Sequence, residues 1–437
     1  MSVINIIGGG LAGCEAAYYL AKSGFSVRLW EMRPEKMTPV HQSGNLAELV
    51  CSNSLKSDLP DTAQGLLKQE MRLLGSLVLE CAEKCRVPAG SALAVDRNLF
   101  ASLVTARIES ESRIQVIRQE VTTLPADEVT IIATGPLTSD NLCRDIQKIT
   151  GADNLYFYDA VAPTVTTESL DKSIVFKASR YGKGTDDYYN CPMTREQYEL
   201  FYDQLVSADT REGHEIDKKF FFSGCMPVEV IARSGKDSLR FGPMRPVGLA
   251  IPGSREKAYA VVQLRQEDRE GRTVGLVGFQ TRLKWGEQDR VFRLIPGLEK
   301  AEFVRYGVMH RNTFINSPEL LRSTLQAKDN PQIFWAGQIT GVEGYMESAA
   351  TGILAAINVA RYLQGKELIV LPPTTMLGAL VYFITSGAKG DFQPINANFG
   401  ILPPLDRVIK DKKQRYQGYV DRALQEIKAN LPTLLPS

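Results

Sequence analysis

The chain has 437 residues, which is enough for two or three domains. Its hydrophobic content of 44% and charged content of 23% exclude a disordered or fibrous chain, and the net charge of +1 limits any nucleic-acid site to a local patch. No apolar run reaches membrane-spanning length and the N-terminus lacks a signal pattern, so we expect a cytoplasmic protein. The seven cysteines without C-x-x-C spacing argue against a disulfide framework and against a metal site.

The chain begins with a predicted strand–turn–helix–strand unit that is typical of dinucleotide-binding domains. Residues 3–7 (VINII) predict a buried strand, and residues 8–13 (GGGLAG) follow with G-x-G-x-x-G spacing. A helix rich in alanine comes next, and residues 26–30 (SVRLW) predict a second strand. The unit as a whole is much more specific than the glycine motif alone.

Each special residue of this unit has a physical role. Gly8 allows the tight turn, Gly10 lets the backbone approach a pyrophosphate, and Gly13 lets the helix pack closely on the strand. The free N–H groups of the helix N-terminus favour that pyrophosphate. Glu31, at the end of the second strand, is placed to accept hydrogen bonds from ribose hydroxyls and to repel a 2′-phosphate. The site therefore favours FAD or NAD over NADP.

Two later segments also read as strands that run into glycine. Residues 129–136 (VTIIATGP) end in a turn at Gly135, as in the strand that closes the nucleotide domain of two-dinucleotide flavoproteins. Residues 332–338 (QIFWAGQ) run into Gly337 and Gly341, and a helix of small residues follows. In FAD enzymes such a late unit returns to the first domain, and its helix points at the flavin.

These segments predict an α/β fold in which a Rossmann-type FAD-binding domain is interrupted by a smaller α+β domain. We expect the first part of the FAD-binding domain at 1–156, the insertion at 157–295, and the return segment with a C-terminal helix at 296–437. Within the first part, residues 63–85 predict one long helix, because apolar residues recur at steps of three and four. Cys81 and Cys85 lie on its apolar face.

The insertion contains a basic segment. Residues 231–295 hold 13 Lys and Arg against 7 Asp and Glu, with aromatic residues interleaved. Such a patch suits a phosphate backbone, with Arg282 and Lys284 as RNA contacts, although a solvated face would look the same. The same segment also contains Arg233, Arg240, Arg245 and Arg265. A second cluster at 407–415 reads as one face of the C-terminal helix.

A few residues could carry chemistry. Cys51 and Cys225 lie in predicted loops beside small polar residues, where a thiol can act as a nucleophile, although a cysteine taken alone is more often a buried small residue. His41 lies in a polar loop, and His310 lies among aromatic, basic and amide residues. Tyr345 precedes the late helix, so its ring could face a flavin or simply pack.

Several blocks of this sequence resemble a known family. They are AELVCSNSL around Cys51, GCMPVEV around Cys225, RYGVMHRNTFIN around His310 and AGQITGVEGYMESAATG around Tyr345. The chain closely resembles the folate- and FAD-dependent methylenetetrahydrofolate–tRNA-(uracil-5-)-methyltransferases, which are related to the wobble-uridine modification flavoproteins. The match runs nearly end to end.

The resemblance implies a reaction and its reagents. The expected product is 5-methyluridine at the T-loop uridine (position 54) of tRNA, whose T-arm would be the macromolecular partner. The carbon donor would be 5,10-methylenetetrahydrofolate, and reduced FAD would be the reductant and methylene carrier. NADH or NADPH would recycle the flavin. The base would have to leave its stack to reach the flavin.

The resemblance also implies roles for single residues. Cys225 is the first choice for the nucleophile that adds to uracil, and Cys51 is the second or assists it. His310 would stack on the folate pterin, with His41 as the alternative, and Tyr345 would contact the flavin. Three other functions stay open: the same chemistry on a 23S rRNA uridine, an FAD oxidoreductase for a small metabolite, and a flavin-bearing RNA scaffold.

Overall fold

The computed structural model describes residues 3–125, 127–151, 155–182, 185–211, 226–253, 256–387 and 392–435. For residues 155–159 and 310–311 it describes the backbone alone. The strands within these ranges are β1 (Val3–Ile7), β2 (Ser26–Glu31), β3 (Ser54–Ser57), β4 (Arg86–Val87), β5 (Ala92–Val95), β6 (Ile114–Arg118), β7 (Thr130–Ile132), β8 (Leu155–Ala160), β9 (Thr164–Thr166), β10 (Phe176–Lys177), β11 (Tyr188–Met193), β12 (Ala260–Gln266), β13 (Thr273–Leu276), β14 (Phe303–Arg305), β15 (Met309–Phe314) and β16 (Ile333–Trp335).

The α-helices within the same ranges vary from one turn to six. They are α1 (Leu11–Lys22), α2 (Ala63–Leu73), α3 (Leu77–Lys84), α4 (Arg97–Glu109), α5 (Asp140–Thr150), α6 (Arg195–Ser207), α7 (Val228–Ala232), α8 (Ser238–Phe241), α9 (Trp285–Phe292), α10 (Ser317–Leu320), α11 (Tyr345–Leu363), α12 (Met376–Tyr382) and α13 (Lys412–Leu434). Within the described ranges, no helix is long and apolar enough to cross a membrane.

The first unit is built on a parallel sheet with the strand order β16-β7-β1-β2-β6. Helices α1 and α11 pack together against it so closely that a Cβ atom on Gly352 would lie 2.3 Å from the carbonyl oxygen of Ala12. The strand β16, which comes late in the chain, pairs with β7 as the return of an interrupted domain requires. The Rossmann-type α/β fold expected from the sequence is therefore confirmed.

The second unit is built on an antiparallel sheet with the order β10-β11-β12-β13-β9-β14. Its hydrophobic core is drawn from residues 165–301 and is separate from the core of the first sheet. The chain enters and leaves this unit through β8 and β15, which pair with each other antiparallel. Because β14 belongs to the second sheet, the unit extends beyond residue 295, where the sequence predicts the end of the insertion.

The prediction of one long helix over residues 63–85 is wrong, because the chain forms two helices there, α2 and α3. Gly75 takes a φ of +76° after α2, and the Ser76 side chain caps the N-terminus of α3. The buried carboxylate of Glu15 accepts hydrogen bonds from the first two N–H groups of α3, both at 3.0 Å. Apolar residues keep their spacing across the break, so Cys81 and Cys85 are buried as expected.

Candidate active site

The glycine turn after β1 is close-packed at two positions and open at one. A Cβ atom on Gly8, whose φ is +108°, would lie 2.4 Å from the carbonyl oxygen of Ala133, and one on Gly13 would lie 1.8 Å from that of Gly8. A Cβ atom on Gly10 would meet no protein atom within 4 Å. Gly8 and Gly13 thus serve the local packing, while Gly10 presents bare backbone to the space in front of α1.

Glu31 lies beside this turn at the end of β2. Its carboxylate accepts hydrogen bonds from the backbone N–H of Gly9 at 3.0 Å and from the N–H and Nε of Arg33 at 3.0 and 2.9 Å. Burial opposes the negative charge, but the hydrogen bonds and the charge of Arg33 outweigh it and hold the pKa of Glu31 below its usual value. The carboxylate therefore stays ionised at neutral pH.

These groups line an open cleft of about 990 Å³ at the carboxyl ends of the parallel strands. That edge, at a helix N-terminus, is where doubly wound sheets bind dinucleotides. The bare backbone of Gly10 and the ionised carboxylate of Glu31 fit the pyrophosphate and ribose of such a cofactor. Of the other residues expected here, Gly135, Gly337, His41 and Tyr345 line the cleft. Gly341 instead forms a left-handed turn against Phe392.

A second cavity of about 820 Å³ adjoins the cleft. The two share four wall residues, which are Val50, Pro136, Gln338 and Tyr345. Cys51 lies in the second cavity, and it is partly exposed whereas the five other described cysteines are buried. A ligand in the second cavity would therefore lie near this thiol and next to the cleft.

The Tyr345 hydroxyl fixes the Cys51 loop to the start of α11. It accepts hydrogen bonds from the backbone N–H groups of Cys51 at 2.9 Å and Ser52 at 3.2 Å. Burial, and then the proximity of the Cys51 thiol, raise the pKa of Tyr345, so the phenol remains protonated. The tyrosine is thus a wall of both spaces as well as an anchor for the loop.

Three arginines hold the same loop from other elements. Arg97, at the start of α4, donates to the carbonyl oxygen of Leu49 at 3.3 Å, and Arg305, at the end of β14, donates to that of Val50 at 2.6 Å. Arg265 on β12 donates to the side chains of Ser52 at 2.7 Å and Asn53 at 2.8 Å. The loop that carries Cys51 is therefore clamped by residues of both structural units.

The clamp places positive charge near the thiol. Burial and the repulsion of Arg97 lower the pKa of Arg305 to about 10, so it is still cationic at neutral pH. A negative charge on Cys51 would interact favourably with both Arg97 and Arg305. Both cations therefore lie near the position of the thiol.

The structure describes no side chain for two of the residues expected at the site, Cys225 and His310. Cys225 lies outside the described residues. His310 lies on β15, where its backbone pairs with Asp159, but its side chain is outside what the structure describes. The roles that the resemblance gives them stay predictions.

Comparison with known proteins places this chain in a family. A family model described as "Glucose inhibited division protein A" matches residues 3–367. A protein of Syntrophomonas wolfei named methylenetetrahydrofolate–tRNA-(uracil-5-)-methyltransferase TrmFO is 65% identical over 427 residues, which are 98% of each chain. The chain belongs to the TrmFO family. The resemblance seen in the sequence motifs is thereby confirmed.

Other relatives agree with this assignment. A TrmFO protein of Moorella thermoacetica is 58% identical over 97% of each chain. The solved structure of Aquifex aeolicus GidA in its form II crystal has a TM-score of 0.71 and 17% identity, covering 99% of this chain and 74% of that one. At this identity the GidA structure supports the fold alone, a Rossmann-type domain with an insertion.

The structure of this TrmFO-family chain contradicts the RNA contact that the sequence predicts for Arg282. Arg282 is 2% exposed and its Nε lies 3.6 Å from the carboxylate of Glu229, which is fully buried. A guanidinium in that position cannot reach an RNA backbone. Lys284, two residues later, is 57% exposed and pairs with Asp209 at 3.1 Å, so it remains available to a phosphate. Arg265 also points inward, to the Cys51 loop.

The burial of Arg282 leads to a stability prediction. Arg282→Ala would leave the Glu229 carboxylate buried without this ion-pair partner, which should lower the free energy of unfolding by about 3 kcal/mol. Lys284→Ala removes an exposed pair and should change it by less than about 1 kcal/mol. Urea unfolding followed by tryptophan fluorescence measures both. Equal effects of the two substitutions would contradict the structural role of Arg282.

Sequence reasoning missed the clamp of Arg97, Arg265 and Arg305, and it missed the buried amide of Asn312 in the second cavity. Arg97 and Arg305 lie far from Cys51 and from each other in the sequence, and their spacing carries no signal. Only the pairing of separate units brings them together.

Proposed function

We propose that this protein methylates C5 of the T-loop uridine in tRNA, taking the carbon from 5,10-methylenetetrahydrofolate. The observation that carries the proposal is the partly exposed Cys51 thiol in a cavity that adjoins the glycine-lined cleft, in a chain of the TrmFO family. The names of the relatives state the donor and the base, and the two adjoining spaces offer room for both.

We propose FAD as the resident cofactor of the cleft. The Gly10 backbone and the N-terminus of α1 would hold its pyrophosphate, and Glu31 would accept hydrogen bonds from its ribose. Bound flavin would supply the two electrons needed to bring a methylene carbon to a methyl group, with NADH or NADPH as the external reductant. Tyr345, Gly337 and Gln338 would shape the end of the cleft nearest the second cavity.

The protein's own contribution to the chemistry is a nucleophile and its placement. Uracil C5 becomes nucleophilic only after a thiolate adds to C6, so one cysteine must reach that carbon. We propose Cys225 for this addition and Cys51 as the assisting thiol, with His310 stacking on the pterin and His41 as the alternative. Arg97 and Arg305 would hold the Cys51 loop in place.

We also propose an RNA-binding surface around Lys284 and Trp285. Trp285 is half exposed and stacks on Tyr306 with ring centres 5.7 Å apart, and the Arg211 guanidinium lies 4.5 Å from the indole. Exposed aromatic rings beside cations are suited to unstacked bases and phosphates. The T-arm would then contact this surface while its uridine enters the second cavity.

Lys284 tests that surface. Lys284→Ala should weaken binding of unmodified tRNA and reduce the salt dependence of the affinity by about one unit, because one phosphate contact is lost. Lys148→Ala, an exposed lysine on α5 of the other unit, serves as the control. Fluorescence anisotropy at several salt concentrations measures both quantities. An unchanged slope for Lys284→Ala would move the RNA to another face, and residues 407–415 would be tested next.

Mapping of 5-methyluridine in cells tests the proposed target. Deleting this gene should remove the modification from the T loop of tRNA while leaving any 5-methyluridine in 23S rRNA in place. Mass spectrometry of separately purified tRNA and rRNA distinguishes the two. Loss from rRNA alone would favour the rRNA alternative, and loss from neither would favour a small-metabolite oxidoreductase.

A further inference from the structure

The second cavity contains a buried amide without a partner. Asn312 lies on β15 with 0% exposure, and neither Oδ1 nor Nδ2 has a hydrogen-bond partner among the described residues. Asn53, Asn190 and Asn358 are also 0% exposed, but each is hydrogen-bonded. Asn358, for example, donates to the carbonyl oxygens of Thr324 and Ile369 and accepts from the Ile369 N–H. Leaving both ends of a buried amide unpaired costs stability, so a bound molecule is the expected partner.

The backbone that follows Asn312 is held by two hydrogen bonds. The N–H of the next residue, Thr313, donates to the carbonyl oxygen of Pro136 at 2.9 Å, and that of Ile315 donates to Ile339 at 2.9 Å. Pro136 is one of the walls shared by the cavity and the dinucleotide cleft. The amide is therefore held where the two spaces meet, in the cavity that also holds Cys51.

The cavity suits a flat ring with a polar edge. Apolar side chains, among them Val50, Leu55 and Met346, supply surfaces on which a ring can pack. An asparagine amide presents one acceptor beside one donor, so it pairs with a ring edge that carries one donor beside one acceptor. A lactam edge, a ring carbonyl next to a ring N–H, has that pattern.

We propose that Asn312 recognises the lactam edge of a pyrimidinone ring bound in the second cavity. The inference rests on the proposed function, because two of its reagents carry such a ring: the 4-oxopterin of the folate and the target uracil. Asn312 would then select which ring binds, because a ring without a lactam edge would leave the buried amide unpaired.

The first experiment separates recognition from support of the fold. The variants are Asn312→Leu and, as a matched control, Asn358→Leu, both in the FAD-loaded protein. Asn312→Leu loses no hydrogen bond of the fold, so its Tm should be unchanged or higher, while Asn358→Leu loses three and its Tm should fall by several degrees, about 2–4 °C or more. An equal fall for both variants would overturn the inference.

The second experiment identifies the ring. Calorimetry measures the affinity for tetrahydrofolate, and steady-state assays at saturating folate measure kcat/KM for unmodified tRNA. Asn312→Leu should weaken one of them at least about tenfold. A change in folate affinity alone assigns the pterin, and a change in kcat/KM for tRNA assigns the uracil. No change in either would overturn the inference.

Wild-type protein offers a test that needs no variant. Methylation of the ring N–H, in N3-methyltetrahydrofolate or in tRNA carrying 3-methyluridine at the target position, blocks the lactam edge. One of the two probes should bind or react at least about tenfold worse than its parent, and equal behaviour of both would overturn the inference. Should wild-type protein bind folate selectively yet form no 5-methyluridine, the proposed function fails while the recognition by Asn312 stands.

Discussion

Cys225→Ala is expected to abolish 5-methyluridine formation while FAD binding is retained, because the thiolate acts on uracil and not on the dinucleotide. Activity should fall by at least about 1000-fold, as when a covalent nucleophile is removed from other enzymes. Cys225→Ser should fail too, since a hydroxyl lacks the acidity and softness of a thiol. Mass spectrometry of nucleosides from treated tRNA measures the product, and flavin absorbance after gel filtration measures the cofactor.

Two further cysteine variants are needed, Cys51→Ala and, as a buried control, Cys81→Ala. Cys51→Ala should also impair methylation strongly, because its loop lies between the dinucleotide cleft and the second cavity. Cys81→Ala, which shortens a core side chain far from any proposed step, should retain most activity. If Cys225→Ala stays near wild-type activity while Cys51→Ala is inactive, the roles of the two cysteines are exchanged.

Gly10→Val is expected to remove FAD from a protein that still folds. The added side chain would meet no protein atom near its Cβ and would project into the cleft, where the pyrophosphate must lie. FAD affinity should fall at least about 100-fold, which corresponds to about 2.7 kcal/mol. Flavin absorbance after gel filtration and a thermal unfolding curve distinguish loss of cofactor from loss of fold.

Two other glycines serve as controls for this substitution. Gly286→Ala adds a Cβ atom in open space on α9, away from the cleft, and should leave the flavin bound. Gly13→Ala would drive a Cβ atom against the carbonyl oxygen of Gly8 and should destabilise the whole first unit. A Gly10→Val protein with full flavin absorbance would show that the cofactor lies elsewhere.

The sequence predicts the dinucleotide unit well because its physics is local. Gly8, Gly13 and Glu31 lie within one strand–helix–strand unit, and most contacts that define their places are made within it or directly after it, the packing of Gly8 on Ala133 being the exception. The late return of β16 is likewise visible as a strand that runs into Gly337. These elements could be inferred from spacing and from residue type.

The rest of the site depends on contacts distant in the sequence. Nothing local distinguishes Arg265, which holds the Cys51 loop, from an exposed arginine of the same basic segment, and the RNA contact predicted for Arg282 is wrong for the same reason. The unpaired state of Asn312 is likewise a property of its neighbours in space. Charge and composition indicate that a basic segment exists, but only packing decides which of its residues face solvent.

The most direct test of the proposed methylation follows the carbon atom from methylenetetrahydrofolate to the uridine. Purified protein with FAD, NADH or NADPH, unmodified tRNA and methylenetetrahydrofolate labelled with ¹³C in the methylene group should form T-loop 5-methyluridine. Every new methyl group should carry the label, seen as a nucleoside one mass unit heavier, and a tRNA with cytidine at the target position should gain none. Unlabelled 5-methyluridine, or label transfer that persists without the flavin, would contradict the account.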